Sequence, residues 1–324
     1  MATVVAYVST TNGAPDAVAL QGLTLARRIA AGGDVHAVVI GEGASAAGLG
    51  ASGASEVRVA EHPALGATAP DAIGRILADV ARSVGAGVIV GPGTEAGNTV
   101  IARAAVRADA PFAANCTNAE PSGTPGELVV TRLRWGGSLL EEAALRGDVV
   151  ALTAAPHAIP VEPVNATAPV TTFTPDLDDR DLVVRVVDRV PPAAGGISLA
   201  DAKVVVSGGR GAGSAAGFAP IEELAALLGA AVGCTRAVTI AGWRPHTEQV
   251  GQTGTKIAPS LYIAAGISGA TQHLAGARGA KKLIAINKDG DSPIMAAADY
   301  AVIGDMHEIV PAISAEIRRR RASA

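Results

Sequence analysis

Short β-branched runs alternate with amphipathic stretches along the first third of this chain, stop, and begin again near residue 203. Strand-like runs cover 3–8, 35–40, 56–59 and 87–90. Between them, 16–31 places Val18, Leu25 and Ile29 on one helical face, and 71–84 does the same with Ile73, Ile76, Leu77 and Val80. A third helix is expected over 95–108, and Asp16 and Gly32-Gly33 punctuate the first. Continuous apolar strands alternating with amphipathic helices imply a parallel sheet covered on both faces, with right-handed crossovers.

The pattern then changes. Residues 128–134, 148–153 and 182–187 read as strands without full helices between them, around a tract holding Pro156, Pro160, Pro163, Pro169 and Pro175. This middle region is expected to extend the first sheet in antiparallel or mixed fashion. The Pro/Gly segment 191–196 is the best linker. Beyond it the α/β alternation restarts: strands over 203–207, 261–265, 283–286 and 300–303, and helices over 220–228, 268–277 and 306–320. With aromatics at 2% and apolar residues at 49%, both cores must be built from Ala, Val, Leu and Ile.

The chemistry the chain can carry is bounded by what it lacks. A net charge of −4 leaves no general basic surface for nucleic acid. The two cysteines, Cys116 and Cys234, form no CxxC, and His36, His62 and His157 show no metal-ligand spacing, so no metal is expected. There is no G-x-S-x-G elbow, no P-loop and no convincing nucleophile–base pair, so no catalytic residue is assigned. The first residues lack a basic and then apolar leader, and no apolar run is long enough for a membrane span. A cytoplasmic protein is expected.

Polar, glycine-rich segments follow each strand of the second half. Val206-Ser-Gly-Gly-Arg-Gly-Ala-Gly can expose backbone N–H groups as an anion nest around Arg210. Only the relaxed form Gly211-x-Gly213-x-x-Ala216 of a dinucleotide motif is present. Where NAD proteins carry an acid, about 20 residues on, the sequence reads Cys234-Thr235-Arg236, which argues against NAD. A helix starting at Ser268 would offer free N–H groups to a ligand, with His273 in its second turn. Taken alone, His273 reads more readily as a partly buried, hydrogen-bonded residue than as a ligand contact. The loops at Val250-Gly-Gln-Thr-Gly254, Asn287-Lys-Asp289 and Asp305 complete a pattern expected of a nucleotide cradle.

These segments resemble the α subunit of the electron transfer flavoproteins, most strongly over 202–305. The resemblance is carried by Val205-Val-Ser-Gly-Gly-Arg-Gly, Val250-Gly-Gln-Thr-Gly, the run Leu261 to Gly276 containing Ser-Gly-Ala-Thr-Gln-His, and Ile284-Ala-Ile-Asn-Lys-Asp. It implies one FAD held mainly by the C-terminal domain. By resemblance, Arg210 meets the pyrophosphate region, and Thr235 and Arg236 match a Ser-Arg pair beside the isoalloxazine ring. Val250, Gly251, Gln252 and Thr253 match the loop near flavin N5. Ser268, Gly269, Ala270, Thr271, Gln272 and His273 match the helix-mouth contacts, the histidine as a donor near flavin O2. Asn287, Asp305 and Met306 match the adenosine end.

The implied architecture is α/β with two Rossmann-like domains: an N-terminal α/β domain over 1–190 with extra antiparallel strands, a linker over 191–200, and a parallel-sheet FAD-binding domain over 201–324. The implied partners are an electron transfer flavoprotein β subunit, which would hold any AMP, and transiently acyl-CoA dehydrogenases and a quinone oxidoreductase. The implied role is an electron carrier in fatty acid β-oxidation, not an enzyme with its own substrate. An electron-bifurcating or nitrogen-fixation-linked flavoprotein subunit, and a nucleotide-binding regulatory module without redox chemistry, are the alternatives.

Overall fold

The structure is a computed structural model that describes residues 2–41, 46, 48–66, 69–137, 139–186 and 197–323. The chain divides into two compact units, Met1–Arg189 and Val190–Ala324.

The first unit runs β1 (Val4–Val8), β2 (Thr10–Thr11), β3 (Ala14–Pro15), α1 (Ala17–Ala30), β4 (Val35–Ile40), β5 (Glu56–Ala60), α2 (Pro70–Val84), β6 (Val88–Pro92), α3 (Glu95–Arg107), β7 (Phe112–Pro121), β8 (Glu127–Arg134), β9 (Leu139–Arg146), β10 (Val150–Ala154) and β11 (Val170–Phe173). Nine strands form one sheet in the order β11-β5-β4-β1-β6-β10-β7-β8-β9. It is parallel from β11 to β7 and antiparallel across β7, β8 and β9. Side chains alternate between its faces, as the pleat requires. Val4, Ala6 and Val8 of β1 join Leu23, Leu25 and Ile29 of α1. Val5 joins Ile73, Ile76 and Leu77 of α2 and Ile101 of α3 on the other face.

The mixed extension is therefore present, but larger than the sequence suggested: β7, β9 and β11 were not anticipated. Glu141 sits in β9 and pairs across the sheet with Arg132 at 2.9 Å and Arg134 at 3.2 Å. The strand expected over 182–187 is not formed in its described part, 182–186. Instead Asp178 caps a single 3-10 turn over Asp179–Leu182. Asp181 is fully buried there, bonded by Arg75 of α2 at 3.1 Å and by Arg107 of α3. A buried carboxylate between two guanidinium groups fixes this turn more firmly than its apolar neighbours favour a strand.

The second unit runs β12 (Val204–Gly208), α4 (Ala219–Leu228), β13 (Ala231–Cys234), α5 (Arg236–Ile240), β14 (Leu261–Ala265), α6 (Thr271–Ala277), β15 (Leu283–Asn287), α7 (Pro293–Ala297), β16 (Tyr300–Ile303) and α8 (Met306–Ala322). Its five strands are all parallel, in the order β13-β12-β14-β15-β16. The chain leaves β12 toward β13 on one side and leaves β14 toward β15 on the other. Neighbouring strands whose connections diverge open a crevice at their carboxyl ends. The register keeps those ends level, with Gly208 opposite Ala265 and Ala265 opposite Ile286.

The expected linker 191–200 lies outside the described residues as far as 196. Its far end is not linker but core: Leu199 is buried in the apolar cluster of Val205, Val250 and Tyr262.

Candidate functional site

The crevice is made by backbone before it is made by side chains. After β12, the Gly209 N–H donates to the Ala265 carbonyl and the Gly211 N–H to the Gly266 carbonyl, each at 3.0 Å. A Cβ on Gly209 would stand 2.2 Å from the Gly266 oxygen. Only glycine permits this approach, and it carries Arg210 to the rim.

Past β13, Thr235 stands at the N-cap position of α5 without a side-chain capping bond, and Arg236 opens the helix. The chain returns at Val250, whose N–H donates to the Cys234 carbonyl at 2.9 Å. A tight turn follows. The Gly254 N–H donates to Gly251 at 3.2 Å, the Thr255 N–H to Gln249 at 2.7 Å, and the Gln252 N–H to the Gln272 carbonyl at 2.8 Å. Gly276 of α6 lets that turn press onto the helix, since a Cβ there would lie 2.4 Å from Gly251 Cα.

After β14 the helix begins later than expected. Gly269 has φ of +81° and Ala270 is extended, so the first helical residue is Thr271, not Ser268. Left-handed backbone at 269 ends any helix begun at 268. After β15, the Asn287 side-chain amide donates to the Ile267 carbonyl at 2.8 Å and ties this loop to the last one. Its oxygen accepts from the Asp289 N–H at 3.1 Å, and Ser292 Oγ donates to Asp289 at 2.9 Å.

Together these loops enclose a cleft of about 550 Å³. Arg210 lines it from the first loop, Thr235 and Arg236 from the second, and Val250, Gly251, Gln252 and Thr253 from the turn. Ser268, Gly269, Ala270, Gln272 and His273 line it from β14 onward, and Asn287 from β15. Three sequence-predicted residues lie off it. Thr271 is exposed on the first turn of α6. Asp305 caps α8 by accepting from the His307 N–H at 2.9 Å and pairs with Lys288 at 2.7 Å, which holds its carboxyl below the usual range. Met306 is buried beneath the Gly266 turn. Asp289, named on sequence in the Asn287-Lys-Asp289 loop but not assigned to the site, also lines the cleft, as do Gln249 and Ser292, which sequence reasoning passed over. Gln249 and Ser292 stand in none of the quoted motifs and reach the site through the loop geometry.

His273 is the hydrogen-bonded residue that the sequence alone favours, and not a donor left free toward the cleft. It is buried, with Nδ1 3.0 Å from the Val250 carbonyl and Nε2 2.7 Å from the Tyr262 hydroxyl. Nδ1–H donates to the carbonyl and Nε2 accepts from the tyrosine, so both ring nitrogens are used within the protein. Burial pulls its pKa down to about 4, and burial also raises that of Tyr262. The imidazole is neutral and its tautomer fixed.

The cleft suits a dinucleotide carrying negative charge. Arg210 and Arg236, which line the cleft, take part in none of the ion pairs among the described residues of this unit. The anion nest expected around Arg210 is closed, because the N–H groups of Gly209, Gly211, Ala212 and Gly213 are bonded within the protein; Arg210 supplies this loop's charge to the cleft, whose volume falls within the range of small-molecule sites. At the end of β13, Thr235 and Arg236 occupy the ground where an NAD site carries its acid. FAD fits these residues.

Comparison with known proteins agrees. Residues 198–278 match the family model of the electron transfer flavoprotein FAD-binding domain, and residues 4–178 that of the electron transfer flavoprotein domain. The chain is 33% identical over 304 residues to the electron transfer flavoprotein subunit alpha of Bacillus subtilis, covering 93% of each chain. It is 36% identical over 326 residues to the protein of the same name from Mycobacterium tuberculosis, covering 99% of this chain and 100% of the other. It is 34% identical over 273 residues to Protein FixB of Clostridium saccharobutylicum, covering 83% and 81%. Two diverging strand ends, a glycine-built cleft with two uncommitted arginines, and these matches along both units lead to one assignment: the chain belongs to the electron transfer flavoprotein alpha family, and its C-terminal unit is that family's FAD-binding domain.

Proposed function

We propose that the chain is the FAD-holding subunit of an electron carrier. Paired with an electron transfer flavoprotein β subunit, it takes electrons from flavin dehydrogenases of the acyl-CoA dehydrogenase type and passes them to a quinone-linked oxidoreductase. It is a carrier with no small-molecule substrate of its own. The observation that supports this reading is the cleft at the ends of β12 and β14, lined by Arg210 and Arg236, which have no carboxylate partner among the described residues. Among the described residues, no helix is long and apolar enough to cross a membrane, in keeping with transfer through protein partners.

FAD, when bound, supplies reversible one- and two-electron chemistry, and the chain supplies binding and electrostatics. Arg210 would offset the pyrophosphate charge from the rim, on a loop that the Gly209 and Gly211 N–H bonds to Ala265 and Gly266 hold in place. Arg236, close to the Val250–Thr253 turn, stabilises the negative charge that reduction adds to the ring. Thr253 offers a hydroxyl at the ring edge. Val250, Gly251, Gln252 and Gln272 would wall the flavin, and Ser268, Gly269 and Ala270 would line the mouth of the cleft. Asn287, already bonded to Ile267, orients the adenosine end. Neutral His273 fixes the floor of the site through Val250 and exchanges no proton.

The test is a reductive titration of the yellow complex formed with a β subunit, followed by flavin absorbance. Bleaching by an acyl-CoA dehydrogenase and its substrate, and not by NADH alone, is the expected result. Direct bleaching by NADH would favour the bifurcating alternative, and a colourless complex would refute the reading.

A further inference from the structure

Gln249 is 2% exposed and touches both sides of a choice. Its Oε1 lies 2.8 Å from Thr239 Oγ1 on α5, and its Nε2 lies 3.1 Å from Thr253 Oγ1 in the cleft wall. Thr239 Oγ1 also lies 3.0 Å from the Arg236 carbonyl. A hydroxyl carries one proton and serves one of these acceptors at a time.

Two hydrogen-bond arrangements therefore satisfy the same heavy atoms. In the first, Thr239 donates to Gln249 Oε1 and Gln249 Nε2–H donates to Thr253, whose own O–H is left to donate into the cleft. In the second, Thr239 donates to the Arg236 carbonyl and the Gln249 amide is rotated by half a turn. Nε2–H now donates to Thr239, Oε1 accepts from Thr253 O–H, and Thr253 presents a lone pair to the cleft. Each arrangement gives both the amide oxygen and the amide nitrogen a partner, so neither atom is orphaned.

We propose that Gln249 is a positioning residue whose amide rotation switches the Thr253 hydroxyl between donor and acceptor toward the bound flavin. The inference rests on the FAD reading above. A flavin ring nitrogen is a bare acceptor when oxidised and carries hydrogen once two electrons and a proton have been added. The electrons come from the donor protein and the proton from solvent. Gln249, Thr239 and Thr253 gain and lose no atoms, and only the direction of their hydrogen bonds changes. The switch keeps Thr253 bonded to the ring in both redox states, so the wall need not rearrange between accepting and delivering electrons.

The test is reduced-minus-oxidised infrared difference spectroscopy of the FAD-loaded complex with side-chain 13C-labelled glutamine. An isotope-sensitive amide carbonyl band is expected to shift on reduction. It should vanish in Gln249→Met, lose its redox shift in Thr253→Val, and regain it in Thr253→Ser. A wild-type spectrum with no glutamine band, or a band whose shift survives Thr253→Val, overturns the proposal while FAD still binds and titrates. A complex that holds no FAD overturns the functional reading as well, and flavin absorbance separates the two failures.

Discussion

The Tyr262 hydroxyl stands 2.7 Å from His273 Nε2 and joins β14 to α6 under the floor of the cleft. The ring it holds is neutral when folded and has an ordinary pKa when unfolded.

That difference makes stability depend on pH. His273 titrates at about 4 in the folded chain, against 6.5 for an unperturbed histidine. Between these values the unfolded chain binds more protons than the folded one, so stability rises with pH across the window and this contribution is flat above it. The shift corresponds to about 3 kcal/mol lost on acidification from pH 6.5 through 4. Denaturant midpoints measured across that range should show a shallower pH slope in His273→Gln than in the wild type. Equal slopes would mean that the histidine is not buried in its neutral form.

Removing the hydroxyl alone should also be felt. Tyr262→Phe keeps the packing and leaves a buried Nε2 without its donor, at a cost of about 1–3 kcal/mol. The midpoint of urea unfolding should fall while the slope stays unchanged. An unaltered midpoint would show that water or another group replaces the tyrosine.

The cleft's shape depends on the contact of Gly209 with Gly266. Gly209→Ala forces a Cβ to within 2.2 Å of a carbonyl oxygen, so the two strand-end loops must part. Overpacking of this kind costs about 1–3 kcal/mol, and FAD retention should be lost with it. Gly213→Ala, where φ is +75° and no heavy atom lies within 4 Å of the new Cβ, should cost about 1 kcal/mol and keep the flavin. Retention of FAD by both variants would contradict the backbone origin of the site.

Arg210→Ala should weaken FAD binding by roughly tenfold to a hundredfold, the range for one charge-assisted hydrogen bond. Fluorescence titrations at several salt concentrations should show a smaller salt dependence in the variant. Equal affinity and an equal salt slope would remove Arg210 from the pyrophosphate.

Strand–helix alternation made the parallel core of both units readable, because buried strands and amphipathic helices carry different periods. The strands that escaped lack that signal. β13 is four residues containing Ala and Gly, β7 mixes Asn, Thr and Glu with its apolar residues, and β9 holds Glu141 and Glu142, one bonded across the sheet to arginines of β8. The site was legible where glycine and polar loops follow strands. Gln249 was not, because a lone glutamine before a turn has no local signature and gains its meaning from Thr239 and Thr253. For His273 the residue-level reading of a buried, hydrogen-bonded ring holds, but the partner of its second nitrogen was not legible. The tyrosine that consumes its free nitrogen lies eleven positions earlier on a different element, and no local pattern links them.

The most direct test is an experimental structure of the chain assembled with a β subunit and saturated with FAD. The expected result is density for one FAD in the C-terminal cleft, with its phosphates against Gly209–Gly211 and Arg210 and its ring against Arg236 and Thr253. Density for FAD elsewhere on the chain, or a different molecule occupying that cleft, would contradict the assignment.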